Sequence, residues 1–233
     1  MSRKSVSAFL MVVLVLASVI FLFDLGTAEA VPTLRFSDGT TIVEVWDGRE
    51  GYDLRPEENI VAYTGQVGSL EVDVTGVGTN IGTMTDPRLT LSAAVVGEGT
   101  MTIWFSETGF GPTEGSFLTF AGGTTTGDSV MYGSFSDTSN DLYGEGITLG
   151  DIGSISGSDS SGMLSLENAY SLTAKAIITH TSPGDITSFG LNIDVPETSS
   201  LLYVTICIGG IYSIRRKMLN NADMNAKNNE ALI

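Results

Sequence analysis

Apolar and polar residues alternate along short stretches in the central part of the chain, as expected of β-strands buried on one face. In residues 70–75, Leu70, Val72 and Val74 share one face, while the residues between them are acidic or hydroxylated. No stretch of this region shows sustained helical spacing. The pattern predicts about ten strands, over residues 41–46, 59–64, 70–75, 89–96, 101–106, 116–120, 130–136, 147–149, 170–179 and 189–194.

Clusters of Gly, Asp and Ser separate these segments and predict turns, because Gly adopts positive φ freely and Asp bonds its own backbone. The Gly/Ser/Asp stretch 150–162 is predicted to be a mobile loop within one domain. Short strands at this spacing predict a single all-β domain over residues 31–194, an antiparallel β-sandwich with a jelly-roll-like arrangement. The predicted turns are Ser37-Asp38-Gly39, Asp47-Gly48, Gly76-Val77-Gly78, Gly97-Glu98-Gly99, Gly122-Gly123 and Pro183-Gly184-Asp185.

Charge is distributed unevenly along the chain, which has 11 Lys and Arg against 27 Asp and Glu. Residues 31–197 contain 23 acidic and five basic residues, a formal charge of −18. Such a surface repels phosphate backbones, so nucleic acid is excluded as a partner, and anionic lipid headgroups are disfavoured. With a single His and a single Cys, the chain has neither a Cys/His zinc site nor a disulfide framework.

The first 30 residues have the three zones of a secretory signal peptide. Arg3 and Lys4 give a positive start, residues 8–23 are apolar, and Ala28 and Ala30 are the small residues that signal peptidase reads. Cleavage is expected after Ala30. The alternative is an uncleaved signal anchor, although the apolar run is shorter than the ~20 residues that span a bilayer comfortably.

The C-terminal region is organised in a similar way. Residues 195–198 are Val195, Pro196, Glu197 and Thr198, and an apolar run follows at residues 201–214. A basic stop of Arg215, Arg216 and Lys217 comes next, then a polar tail at residues 218–233. The order predicts a short transmembrane segment with its basic end in the cytoplasm. The alternative is a buried core strand. Cys207, within the run, is interpreted as a small apolar packing residue.

A Val-Pro-Glu tripeptide, a short spacer, a short apolar segment and a basic cluster resemble the PEP-CTERM sorting signal. The resemblance implies a substrate of exosortase, an integral-membrane transpeptidase-like enzyme of bacteria that make exopolysaccharide. The chain would be held briefly by residues 201–214 and cut near residues 195–198. Thr198 stands where the family usually has Pro, and residues 218–233 extend beyond the usual end. A permanently membrane-anchored protein is the alternative.

The central region resembles a recurrent group of PEP-CTERM ectodomains. The similarity lies in residues 99–109 (GTMTIWFSETG), 122–125, 137–140 (DTSN) and 170–182. That group has no established enzymatic activity to carry over to this chain. The resemblance implies that residues 189–195 form the last strand, joined to the sorting motif with little linker.

Two tryptophans are candidate glycan contacts, because aromatic faces pair with the apolar faces of sugar rings. Trp104 falls on the polar face of its predicted strand, beside Thr102 and Ser106, and Trp46 ends another strand. The alternative is ordinary surface or cross-strand packing.

Candidate calcium ligands are Asp137, Asn140 and Asp141, because calcium takes hard oxygen donors in loops. Further aspartates lie in other Gly/Ser loops. No EF-hand spacing is present, and the favoured alternative is that these side chains form solvated turns. The further aspartates are Asp128, Asp151 and Asp159.

His180 could act as a catalytic base only beside a nucleophile, and the sequence has no G-x-S-x-G or similar nucleophile motif. No enzymatic activity is therefore predicted. The expected function is an exported cell-surface or extracellular-matrix protein of structural or interaction type. Its expected partners are signal peptidase, an exosortase-like membrane transpeptidase and extracellular polysaccharide. Calcium bridging to anionic polysaccharide is a hypothesis that calcium titration would test. The alternative function is a secreted carbohydrate-binding β-sandwich.

Overall fold

The computed structural model describes residues 31–78 and 87–195, which form twelve β-strands. The predicted signal peptide with Ala28 and Ala30, and the C-terminal signal from Pro196 onward, lie outside the described residues. Within the described ranges, no helix has the length and apolarity needed to cross a lipid bilayer.

The strands account for most of the described residues. They are β1 (Thr33–Ser37), β2 (Ile42–Trp46), β3 (Ile60–Val67), β4 (Leu70–Val77), β5 (Arg88–Val96), β6 (Gly99–Phe110), β7 (Thr113–Thr125), β8 (Ser129–Asp137), β9 (Ile147–Ile152), β10 (Gly157–Leu166), β11 (Tyr170–His180) and β12 (Ile186–Asp194).

Two six-stranded antiparallel sheets contain all of these strands. The first sheet has the order β2-β1-β6-β11-β8-β9, and the second has the order β10-β7-β12-β5-β4-β3. Consecutive strands from β5 to β8 alternate between the sheets, and so do those from β9 to β12. The predicted all-β fold of two antiparallel sheets is therefore confirmed.

The core lies between the sheets and is filled by the inward residues of the alternating strands. Aromatic rings join the two layers: Tyr132 of the first sheet and Phe189 of the second have ring centroids 5.2 Å apart. Tyr170 stacks on Phe110 at 5.7 Å and meets the edge of Phe117, from the second sheet, at 6.2 Å. Such pairs add about 0.5–1.5 kcal/mol each to the free energy gained from burial.

Two predicted turns are wrong because their glycines serve close packing inside strands. Gly76 lies within β4, and a Cβ there would come 2.5 Å from the ring of Phe105 on the opposite sheet. Gly122 and Gly123 lie within β7, where a Cβ on Gly123 would clash with the carbonyl oxygen of Ser188. These glycines allow neighbouring chain segments to approach.

The predicted loop at residues 150–162 is also wrong in part, because β10 begins at Gly157. This strand pairs with β7 at the edge of the second sheet, and most of its side chains are exposed. An edge strand held by backbone hydrogen bonds needs few apolar residues, so alternation does not reveal it. Strand β1 was also missed by the sequence pattern.

Candidate functional site

The outer face of the first sheet carries a row of aligned, mostly polar side chains. Their inward neighbours, such as Phe36 and Phe105, are fully buried, so the row itself points away from the core. Cross-strand pairing aligns, from β2 to β9, Glu44, Arg35, Trp104, Lys175, Gly133 and Asp151.

The β8–β9 loop (residues 138–146) folds over part of this face. Its Asn140 has φ 60°, and the Asn140 side-chain oxygen accepts a hydrogen bond from the Gly109 N–H at 2.7 Å. The N–H of Tyr143 donates to the Ser106 hydroxyl at 3.0 Å. The Ser171 hydroxyl donates to the carbonyl of Asp141 at 2.6 Å. Hydroxyl groups on the sheet therefore hold the loop in place.

Tyr143 anchors the loop against the charged row. The Arg35 guanidinium lies 3.8 Å from the centre of its ring, a cation–π contact. Burial raises the pKa of the Tyr143 phenol well above its ordinary value, and the nearby Glu44 carboxylate raises it further. Arg35 is also paired with Glu44, its Nε lying 2.6 Å from the carboxylate.

Lys175 is held at the centre of the face by the same loop. Its ammonium lies 2.8 and 3.0 Å from the two carboxylate oxygens of Glu145. The indole N–H of Trp104 donates to this carboxylate at 3.3 Å. The ammonium also lies 5.7 Å from the centre of the Trp104 ring and 5.8 Å from that of Phe135. Its charge is therefore shared with a carboxylate and flanked by two aromatic rings.

A groove of about 180 Å³ opens beside Lys175, and we call it the outer groove. Outward positions on β8 are Met131, Gly133 and Phe135, and the Phe135 ring lies over Gly133, where no side chain stands in its way. A Cβ on Gly133 would lie 2.8 Å from the Phe135 ring. The groove is lined by Met131, Tyr132, Gly133, Phe135, Thr148, Asp151, Lys175 and Ile177.

The chemistry of the outer groove is apolar along β8 and polar across the strands. Met131 is 44% exposed, and it pairs in register with Ile177. Lys175 and Asp151 flank Gly133 on the two neighbouring strands. A few polar groups around an apolar floor are typical of small-molecule sites.

The two tryptophans predicted to contact glycans do not line the outer groove. Trp104 is half-buried beside Lys175, and its indole N–H is bonded within the domain. Trp46 is 42% exposed on the terminal strand β2, four strand positions from β8. At ~4.8 Å per strand, it lies about 19 Å across the sheet from the groove.

The predicted calcium ligands act in turns. One carboxylate oxygen of Asp137 accepts the N–H of Ser139 at 2.7 Å, and Asn140 bonds Gly109 as described above. In the part of the chain that the structure describes, no group of three His, Cys, Asp or Glu side chains could hold a metal ion.

The remaining aspartates are dispersed. Asp128 donates its backbone N–H to the Thr179 carbonyl at 2.9 Å. Asp159 on β10 accepts the backbone N–H of Asp151 at 2.9 Å, and it also accepts that of Ser160. These two bonds lower the pKa of Asp159. Asp151 itself lies at the rim of the outer groove.

His180 is a structural residue in a buried polar chain. Its Nδ1 lies 2.9 Å from the carbonyl oxygen of Gly97, and its Nε2 lies 2.7 Å from the hydroxyl of Thr187. Thr187 in turn bonds the Thr125 hydroxyl at 2.7 Å. Both ring nitrogens therefore have a hydrogen-bond partner inside the domain.

Sequence reasoning missed the groove residues Gly133, Phe135 and Lys175. Apolar residues occupy both faces of β8, so alternation did not mark Phe135 as an outward aromatic. The available signal was Lys175, a lysine within a strongly acidic domain. No family model matches the chain, and no curated protein matches it significantly.

Proposed function

We propose that this chain is an exported cell-surface or extracellular-matrix protein of structural or interaction type. Signal peptidase would remove residues 1–30, and an exosortase-like membrane transpeptidase would process the PEP-CTERM-like signal. The acidic β-sandwich would then act in a polysaccharide-rich envelope. Its negative charge keeps it soluble and separates it from anionic polymers.

The observation that carries this proposal is the junction between the domain and the sorting motif. Strand β12 ends at Asp194, whose carboxylate lies 3.1 Å from Arg88. Val195 is only 5% exposed, and its side chain lies 3.0 Å from where a Cβ on Gly115 would be. The packed domain thus extends to the first residue of the Val-Pro-Glu motif. Cleavage after Val195 would release the sandwich with all its strands.

The strand order further supports a jelly-roll-like assignment. Strands β5 to β12 form two four-stranded halves, β5-β12-β7-β10 and β6-β11-β8-β9, the order of two interleaved Greek keys. Strands β1 and β2 extend one sheet, and β3 and β4 extend the other. Jelly rolls include lectin domains, although a fold alone does not determine function.

The test is the intact mass of the protein from each cell fraction of its native host. We expect a species that begins at Val31 and ends within residues 195–198, in the surface fraction or the medium. A Glu197→Ala variant should remain in the membrane fraction with residues 201–233 attached, and Glu167→Ala, an exposed change elsewhere, should be processed normally. A wild-type mass that retains residues 201–233 would contradict exosortase processing and favour the membrane-anchored alternative.

A second candidate function is a secreted carbohydrate-binding module, and the outer groove favours it. The groove combines apolar side chains of β8 with a lysine and an aspartate on the two neighbouring strands, a mixture typical of ligand sites. Glycan titration separates the two functions, because a structural protein should bind no soluble oligosaccharide.

A further inference from the structure

We propose that the outer groove binds one neutral pyranose ring of an extracellular polysaccharide. This inference rests on the proposed function, since the groove meets such a polymer only if the domain is exported. The site consists of Met131 and Phe135 along β8, with the Phe135 ring lying over Gly133, and of Lys175 and Asp151 on the two neighbouring strands.

The size of the groove fits a single sugar ring. Pockets that enclose drug-sized ligands measure about 300–1,000 Å³, whereas this groove measures about 180 Å³. It lies close to the edge of the first sheet, where β9 is the terminal strand. One ring can therefore occupy the groove while the adjoining sugars of the polymer remain in solvent.

The distribution of apolar and polar groups matches the two kinds of surface on a pyranose. Along β8, Met131 and the Phe135 ring, which lies over Gly133, offer apolar contact to the C–H faces of a ring. On the two neighbouring strands, Lys175 and Asp151 also line the groove and offer polar groups to the hydroxyl-bearing rim. An ammonium has three N–H donors, and Glu145 occupies two of those of Lys175. One donor remains for a sugar hydroxyl, and Asp151 supplies acceptors.

Charge indicates a neutral sugar. The Lys175 ammonium is already paired with the Glu145 carboxylate, and Asp151 adds a second carboxylate to the groove. The surrounding region has a formal charge of −18. A uronic or sulfated sugar would meet net negative charge, which disfavours binding, while a neutral hexose carries no such penalty.

The experiment is calorimetric titration of the full chain, purified in lauryldimethylamine oxide because that detergent contains no sugar. The probes are cellohexaose, mannohexaose and, as the anionic comparison, trigalacturonate. We expect at least one neutral hexasaccharide to bind with a micromolar to millimolar Kd and trigalacturonate to bind more weakly or not at all.

Two matched pairs of variants locate the site. Asp151→Ala should weaken binding about tenfold or more, as the loss of a charged hydrogen-bond acceptor does, while Asp128→Ala in an exposed turn should not. Phe135→Leu should weaken binding several-fold, while Phe120→Leu, the same change at a 45% exposed site on the second sheet, should leave it unchanged. Thermal unfolding of each variant verifies that it is folded.

Failure of both neutral probes to bind at millimolar concentration would overturn the proposal. Wild-type affinity in both Asp151→Ala and Phe135→Leu would overturn it as well. Tighter binding of trigalacturonate would overturn the choice of a neutral sugar. These outcomes are independent of the proposed sorting, which is decided by the mass of the protein in each cell fraction.

Discussion

Gly76 on β4 lies against the ring of Phe105 on β6, so one added methyl group measures how tightly the two sheets pack. A Cβ at position 76 would lie 2.5 Å from two ring carbons, and Phe105 is fully buried, which leaves the ring no space to move into. Overpacking of this kind costs about 1–3 kcal/mol. The substitution also lowers the conformational entropy of the unfolded chain, which stabilises the folded state by about 0.4–1 kcal/mol. For Gly76→Ala we expect a net loss of about 1–2 kcal/mol.

Gly190 on β12 provides the matched control, because a Cβ there would have no atom within 4 Å. Gly190→Ala should stabilise the protein by about 0.5–1 kcal/mol, through the unfolded chain alone. Urea unfolding of both variants measures the difference. At about 2–4 °C per kcal/mol for a domain of this size, their melting temperatures should differ by roughly 5 °C. If both variants shift stability in the same direction by the same amount, the close sheet contact at Gly76 is refuted.

Three further predictions concern buried and bridging polar groups. Burial raises the pKa of Tyr132 and of Tyr170 to about 12 from an ordinary value of 10. Each neutral phenol therefore stabilises the fold fully below pH 10. This stabilisation is lost as the pH rises from 10 to 12, by up to about 3 kcal/mol for each tyrosine. The double Tyr→Phe variant should therefore unfold at higher pH in an alkaline titration followed by circular dichroism, and an unchanged midpoint would contradict this. Replacing His180 with Ala removes two buried hydrogen bonds and should cost roughly 2–4 kcal/mol in urea unfolding; a loss below 1 kcal/mol would mean that the ring is not a structural link. Glu145→Gln should make the fluorescence of Trp104 more accessible to acrylamide quenching. It should lower the free energy of unfolding by at most ~1 kcal/mol, because the ion pair with Lys175 is near the surface. Unaltered quenching would show that the loop does not cover the indole.

The sequence pattern predicts the fold well where one face of a strand is buried and the other is exposed. Strand β4 is an example, because Leu70, Val72 and Val74 point into the core and acidic residues point out. It fails for β10, whose side chains contribute little to burial, and for the short β1, which has only Leu34 and Phe36 as inward apolar residues. Side-chain alternation reports burial rather than backbone pairing.

The outer groove could not be predicted in the same way. Gly133, Asp151 and Lys175 come together only through the registers that join β8 to β9 and to β11. Those registers depend on packing between distant segments, which a single sequence does not encode in any local pattern. Alternation along β6 correctly indicates that Trp104 points outward. It does not reveal that Glu145 covers the indole, because that contact depends on the path of the β8–β9 loop.

The polar character of β10 has a consequence for contacts between copies of the domain. A terminal strand presents unpaired backbone groups, which can recruit a strand from an adjacent copy and begin aggregation. Here the register shifts between Ser160 and Met163, and Gly162 has φ 72°, so the edge is kinked where a second copy would have to align. Asp159 adds a negative charge to the same edge, so the β10 edges of two copies would repel each other. The β10 edge is therefore a poor template for pairing with a strand of a second copy.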